Sequence, residues 1–234
     1  MTDPIHGVLF DKDGTLFDFE ATWNAWAAMM LTDLAAGDLG RAAALGARMG
    51  YDFTEQRFVP DSVVIAGTPE DIVRLLLPGV PELTPEELTD RLNSTAALAP
   101  QAEAVPLGPL IDRLRGMGLK LGVATNDAEA PARAHLAGVG HEESFDFIAG
   151  YDSGFGGKPA PGMCLGFARA LGLAPATVLM VGDSAHDLQA GRAAGMRAVA
   201  VLTGMATRTD LAPLADYVLN DVGELPGLIG EIGV

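Results

Sequence analysis

Val8-Leu9-Phe10-Asp11-Lys12-Asp13-Gly14-Thr15-Leu16-Phe17-Asp18 places two carboxylates one residue apart at the end of an apolar run. A buried strand ending at Asp11 would hold its carboxylate rigidly, and the next turn would bring Asp13 to the same pocket. One carboxylate could then act as a nucleophile while the other transfers protons. The same residues also suit a plain strand followed by a turn, because Asp-Gly is a common turn pair.

Three later segments can be compared with this one. Leu119–Asn126 is a predicted strand that ends with Thr125, Gly156–Pro161 contains Lys158, and Val178–Asp187 ends with the acidic pair Asp183 and Asp187. Together with Asp11-x-Asp13-Gly-Thr, these segments resemble the four motifs of the haloacid dehalogenase superfamily, in the family's order. Any one motif would be weak evidence, but four in register argue against coincidence.

The resemblance implies a set of roles that phosphate chemistry also requires. Asp11 would attack phosphorus to form an aspartyl-phosphate, and Asp13 would protonate the leaving group and then activate water. Thr125, Asn126 and Lys158 would bind the phosphate, whose charge repels an aspartate nucleophile unless it is compensated. Mg²⁺, which takes oxygen ligands, would be the cofactor. Its expected ligands are Asp11, the backbone carbonyl of Asp13, and Asp183. Asp187 would orient these ligands without binding the ion directly.

The family also contains enzymes with other chemistry. Haloacid dehalogenases generally lack the second aspartate, so Asp13, Asp183 and Asp187 argue against dehalogenation. Phosphonatases use a lysine of the inserted segment, and β-phosphoglucomutase-like enzymes use His and Lys there, whereas residues 18–104 contain neither. The sequence therefore predicts hydrolysis of a small phosphorylated metabolite, similar to that by phosphoglycolate phosphatases. A phosphotransferase, a dehalogenase and a non-catalytic protein that binds phosphorylated ligands or a partner remain alternatives.

The hydrophobic periodicity changes along the chain. Strands alternate with helices after residue 105, which predicts an α/β fold, a Rossmann-like parallel sheet with helices on both faces. Residues 20–99 show only helical periodicity, with helices at 21–39, 40–49, 69–77 and 85–98 and no strand. We therefore predict a catalytic core made of residues 1–17 and 105–234, and an inserted helical cap domain made of residues 18–104. The active site would lie at the carboxyl edge of the sheet.

Composition limits the setting and the partners. The single cysteine, Cys164, cannot form an intrachain disulfide, and no secretory leader or apolar run of membrane-spanning length is present, so we expect a cytoplasmic protein. The net charge of −16 disfavours nucleic acid and anionic membranes as partners. We expect a monomer or homodimer that acts on a small phosphorylated substrate, with positive potential confined to its site.

Residues that contact the rest of the substrate are harder to predict. Thr22, Trp23 and Trp26 follow the first motif and could line the entrance, although tryptophans three residues apart on a helix more often pack in a core. An arginine could bind a substrate carboxylate, and the candidates are Arg41, Arg48 and Arg57. His186 lies between the two aspartates of the acidic pair and receives no role.

Overall fold

A six-stranded sheet organises residues 4–233, which are the part of the chain that the computed structural model describes. The strands of this sheet are β1 (Gly7–Phe10), β4 (Lys120–Ala124), β5 (Phe147–Ala149), β6 (Val178–Gly182), β7 (Arg197–Val201) and β8 (Tyr217–Leu219). Two further strands, β2 (Tyr51–Asp52) and β3 (Arg57–Phe58), form a separate pair. The helices are α1 (Phe19–Leu34), α2 (Leu39–Arg48), α3 (Pro69–Leu76), α4 (Pro85–Ala96), α5 (Leu107–Gly116), α6 (Glu129–Gly138), α7 (Gly162–Leu171), α8 (Ala185–Ala193), α9 (Arg208–Leu211) and α10 (Leu225–Ile232).

The six strands lie in the order β5-β4-β1-β6-β7-β8, and every neighbouring pair is parallel. Alternate residues of each strand face opposite sides, as the two-residue period of a strand requires. Val8 and Phe10 of β1 belong to an apolar cluster with α5 and α10, while Leu9 belongs to a second cluster with α7. Apolar residues on both faces of the sheet are therefore covered, and the predicted α/β class is confirmed.

Helices α1 to α4 pack around an apolar cluster of their own. Its buried members include Trp26, Leu31 and Leu88. Helix α4 begins as the sequence predicts, with Thr84 accepting from the amide of Glu87 and the Glu87 carboxylate accepting from the amide of Thr84. We call residues 18–104 the helical insertion. That it is a domain separate from residues 1–17 and 105–234 stays a prediction, and residues 1–3 and 234 lie outside the described residues.

The prediction that the insertion contains no strand is wrong. Strands β2 and β3 form a short antiparallel pair, with Tyr51 opposite Phe58. Asp52 accepts hydrogen bonds from the amides of Thr54 and Glu55 in the turn. The ring centroids of Tyr51 and Phe58 lie 4.9 Å apart. Two residues per strand are too few to give an alternating pattern, so sequence periodicity could not reveal them.

Smaller differences concern helix ends and single residues. Helix α1 ends at Leu34 instead of residue 39. The chain then makes a left-handed turn at Ala36 and Gly37, and Asp38 caps α2. Cys164, on α7, is buried. No helix within residues 4–233 is both long enough and apolar enough to cross a membrane.

The spacing between the sheet and α7 yields a stability prediction. A Cβ added at Gly122 would lie 2.6 Å from two ring atoms of Phe167, which is fully buried. We expect Gly122→Ala to lower the free energy of unfolding by about 1–3 kcal/mol, because an overpacked core must shift. Urea unfolding followed by circular dichroism measures this change.

Gly227 supplies the matched control. It lies inside α10, is exposed, and would place its added Cβ in open space. Gly227→Ala should raise the free energy of unfolding by about 0.5–1 kcal/mol through helix propensity. Equal unfolding midpoints for the two variants would contradict the assigned role of the Gly122–Phe167 contact.

Candidate active site

Three adjacent strands bring the predicted site residues together. Strand β1 lies between β4 and β6, and Asp11, Thr125 and Asp183 directly follow the last residues of these strands. Parallel strands end at the same edge of a sheet, so residues distant in sequence converge there. The amide of Asp11 donates to Val181 O at 2.8 Å, which fixes the Asp11 backbone beside β6.

Lys158 reaches the same edge from the loop between β5 and α7. Its ammonium group donates to Asp11 Oδ1 at 2.5 Å, to Asp187 Oδ1 at 2.6 Å and to Ala124 O at 2.8 Å. Its three donors thus all have partners. Burial lowers the pKa of Lys158, but Asp11 and Asp187 outweigh that effect and raise it above its ordinary value. Lys158 is therefore a fixed cation at neutral pH.

Asn126 holds the backbone of Lys158 in place. Its Oδ1 accepts from the amide of Lys158 at 2.7 Å, and its Nδ2 donates to Lys158 O at 2.9 Å and to Ala66 O of the insertion at 2.8 Å. These bonds use both Nδ2 hydrogens. The side chain of Asn126 thus positions Lys158 and contacts the insertion, and its predicted part in phosphate binding stays a prediction.

Asp11, Asp183 and Asp187 form a buried acidic cluster. Each offers a carboxylate oxygen, and these oxygens lie within 4.8 Å of one another. Burial raises the pKa of Asp11 to about 7, against the opposing effect of Lys158. Burial, with the charges of Asp11 and Asp187, raises the pKa of Asp183 well above its usual range. When all three carboxylates are ionised, the single ammonium group of Lys158 leaves an excess of negative charge.

This donor set fits a hard divalent cation. Carboxylate oxygens are the ligands such ions prefer, and a cation would relieve the repulsion inside the cluster. Asp187 has little capacity left to bind it, since its Oδ1 accepts from Lys158 and its Oδ2 accepts from Ser184 N and Oγ. Ser184 is the N-cap of α8, and Asp187 completes its capping box. Asp11 and Asp183 are therefore the better candidates for direct ligands.

Gly14 lets the turn after β1 approach the cluster. It has a φ of 79°, and a Cβ at this position would lie 2.4 Å from Asp183 Oδ2. Any other residue would be strained in this left-handed conformation and would also meet the carboxylate. The Gly of the first motif thus serves the geometry of the site as well as the turn.

A second buried charge cluster surrounds Lys12, which sequence reasoning missed. Lys12 is fully buried, and its ammonium group lies 2.7 Å from both carboxylate oxygens of Asp13 and 3.4 Å from Asp127 Oδ2. It also lies 5.4 Å from the ring centroid of Trp23. Burial raises the pKa of Asp127 to about 6. The two aspartates of the first motif are thus held by different lysines, Asp11 by Lys158 and Asp13 by Lys12.

His135 of α6 connects this second cluster to the insertion. Lys12 donates to His135 Nδ1 at 2.9 Å, and His135 Nε2 lies 2.7 Å from Ala96 O at the end of α4. An ammonium group can only donate, so Nδ1 accepts and Nε2 carries the hydrogen that is donated to Ala96 O. Burial, together with the Lys12 charge, lowers the pKa of His135 to about 4. His135 is consequently neutral and has a defined tautomer.

One cavity between the sheet edge and the insertion contains all the predicted catalytic, phosphate-binding and metal residues: Asp11, Asp13, Thr125, Asn126, Lys158, Asp183 and Asp187. Trp23, Trp26 and His186 line it as well, whereas Thr22 is buried and does not. The three candidate arginines are not among its lining residues. Arg41 is paired with Glu82, and Arg48 and Arg57 are exposed.

This fold and site define the class of protein. Residues 5–195 match the model of the haloacid dehalogenase-like hydrolase family, and the chain belongs to that family. It is 31% identical to the protein CbbY of Cereibacter sphaeroides over an alignment of 239 positions, which spans 97% of this chain and 96% of CbbY. The predicted family is thereby confirmed.

Further relatives carry phosphatase names, which supports the predicted enzyme class. Phosphoglycolate phosphatase of Chromobacterium violaceum is 37% identical over 116 residues, covering 50% of this chain and 51% of that protein. Several curated relatives match the chain over only about half of their length. The crystal structure of CbbY from Rhodobacter sphaeroides in complex with phosphate superposes with a TM-score of 0.70 at 26% identity, covering 94% of this chain and 96% of that one.

The position of His135 predicts a pH-dependent contribution to stability. Its pKa is lower in the folded chain than its ordinary 6.5, so its contribution is fully present above pH 6.5 and is lost as the pH falls through about 4. Glutamine at this position can accept from Lys12 and donate to Ala96 O without titrating. Between pH 6.5 and 4, the stability advantage of wild type over His135→Gln should fall, by up to about 3 kcal/mol.

Chemical unfolding at several pH values measures this difference. Acid-sensitive groups shared by the two proteins cancel in the comparison, so the change isolates His135. A stability difference that does not depend on pH would contradict the neutral, buried histidine.

Proposed function

We propose that the protein is a Mg²⁺-dependent phosphomonoester hydrolase that acts through an aspartyl-phosphate on Asp11. The observation that carries this proposal is that the two aspartates of the first motif contact different lysines. Asp11 Oδ1 accepts from Lys158 within the acidic cluster, while both oxygens of Asp13 contact Lys12. One carboxylate is thus available for attack and the other for proton transfer, in one cavity.

The chain's own residues supply most of the chemistry in this proposal. Asp11 attacks the phosphorus, Lys158 balances charge at the reacting oxygens, and Thr125 donates a hydroxyl hydrogen bond to the phosphate. Asp13 delivers a proton to the leaving oxygen and later removes one from the hydrolytic water. Mg²⁺, held by Asp11 and Asp183 with the Asp13 carbonyl, would neutralise charge on the phosphoryl oxygens.

Family membership and the phosphatase names of several relatives support hydrolysis over the alternatives. The relatives also make a small phosphorylated metabolite the expected substrate, and we propose the same substrate size here. The helical insertion, residues 18–104, would act as a cap domain that excludes bulk water from the reacting centre.

The nucleophile assignment predicts the effect of one substitution. Asp11→Asn removes the attacking carboxylate but keeps the side-chain shape, so phosphate release from p-nitrophenyl phosphate should fall by at least about 10⁴-fold. Asp18→Asn is the matched control, because Asp18 is exposed and caps α1 through Ala21 N, a role that asparagine also fills. Substantial turnover by pure, folded Asp11→Asn protein would refute the assignment.

The same assay distinguishes the alternatives. A phosphotransferase would release product only when an acceptor alcohol is added. A non-catalytic binding protein would give no turnover above background with or without Mg²⁺.

The acidic cluster predicts dependence on a divalent ion. Removing it with a chelator should stop turnover, and adding Mg²⁺ should restore it. Because an ion that binds only the folded state stabilises it, Mg²⁺ should raise the unfolding temperature by about 5 °C. Asp183→Asn should lose most of this shift, and sodium chloride at matched ionic strength controls for screening. Turnover that persists without metal would contradict the proposed ligands.

A further inference from the structure

The cavity has two walls of opposite chemistry. The sheet edge contributes the charged residues described above, whereas the insertion contributes almost only apolar side chains, including Phe19, Trp23, Trp26, Ile65, Ile72 and Leu92. Asn93 is the one polar side chain of the insertion among the described lining residues. A substrate that places its phosphate on the charged wall must therefore place its organic part against the apolar one.

The insertion offers no charge to this organic part. It contains no Lys or His, and within the described structure none of its arginines lines the cavity. Arg41, Arg74 and Arg91 are instead paired with carboxylates, those of Glu82, Asp71 and Asp33 respectively. A substrate carboxylate would lose its hydration here without gaining a partner, which is costly. The acidic cluster would also repel it.

The apolar wall is arranged in advance of binding. The rings of Trp23 and Trp26 pack edge to face, with their centroids 5.0 Å apart and an angle of 89° between their planes. Trp26 Nε1 donates to Thr95 Oγ1 at 3.0 Å, so its polar atom is already satisfied. Both side chains are more than nine-tenths buried. Binding an apolar group here would order no loose side chain, which favours affinity.

We propose that the substrates are phosphate monoesters of apolar alcohols, with an aryl or arylalkyl group seated against Trp23, Trp26 and Ile72. The inference rests on the proposed phosphatase activity and narrows its substrate class. The cavity has an empty volume of about 650 Å³, its opening to solvent included.

Three esters of primary alcohols test the proposal with similar leaving-group chemistry. These are benzyl phosphate, glycerol 3-phosphate and 2-phosphoglycolate, whose organic parts are apolar, hydroxylated and anionic. We expect kcat/KM for benzyl phosphate to exceed that for glycerol 3-phosphate by at least about 10-fold, and that for 2-phosphoglycolate by at least about 100-fold.

Variants link the preference to the apolar wall. Ile65 is half-buried and lines the cavity. Ile65→Arg should therefore lower the ratio of kcat/KM for benzyl phosphate to kcat/KM for 2-phosphoglycolate by at least about 10-fold. Leu98→Arg adds the same charge at a position that is 79% exposed and outside the cavity lining, and it should leave the ratio unchanged. Asn93→Arg repeats the test from α4 if Ile65→Arg does not fold.

Binding can be measured without turnover. Trp23 and Trp26 are the chain's two tryptophans and both line the cavity, so intrinsic fluorescence reports on the apolar wall. In the Asp11→Asn variant, benzyl phosphate should change this fluorescence at concentrations where 2-phosphoglycolate does not.

The outcomes separate the two proposals. If p-nitrophenyl phosphate is hydrolysed but 2-phosphoglycolate or glycerol 3-phosphate is the better substrate, the substrate class is overturned and the phosphatase stands. If no ester releases phosphate in the presence of Mg²⁺, the proposed function fails and the substrate class fails with it. A preference for benzyl phosphate that Ile65→Arg reduces and Leu98→Arg does not supports both.

Discussion

The architecture depends on keeping several carboxylates buried at one sheet edge. An isolated buried carboxylate costs several kcal/mol and tends to take up a proton instead. Here Lys158 compensates Asp11 and Asp187, and Lys12 compensates Asp13 and Asp127. Both ammonium groups are buried, and nearby aspartates raise the pKa of each above its ordinary value. The two lysines thus stabilise the fold and set the charge of the candidate site at the same time.

This dual use ties the site to the rest of the molecule. Lys12 contacts His135, which contacts Ala96 in the insertion, and Asn126 holds Lys158 while it contacts Ala66 in the insertion. Each half of the charge system therefore ends at a backbone carbonyl of the insertion. Any movement of the insertion relative to the sheet must break or lengthen these bonds, so its position is coupled to the surroundings of both motif aspartates.

Sequence patterns predicted the sheet, because strands buried on both faces are continuous apolar runs in the sequence. They also predicted the convergence of Asp11, Thr125 and Asp183, because parallel strands end at one edge of a sheet. Lys12 shows where such prediction ends. Its burial depends on His135, 123 residues away, and on Asp127, and pairs this distant leave no periodic trace. The apolar lining was predicted only in part, as Trp23 and Trp26, for a related reason. Periodicity identifies α1 and α4 as helices, but only their packing decides that Trp23 and Leu92 face the cavity and Arg41 does not.

The net charge of −16 can be reconciled with an anionic substrate through this arrangement. Lys158 is already engaged by two carboxylates, and Asp183 adds a third, so the chain's own charges give the sheet edge no surplus of positive potential. In the proposed mechanism, attraction of a phosphate monoester dianion would then come from a bound divalent cation acting over a short distance. The apolar wall would strengthen that attraction, because charge interactions gain strength where water is excluded. The insertion would therefore contribute to phosphate binding as well as to substrate choice, although none of its described cavity-lining side chains is charged.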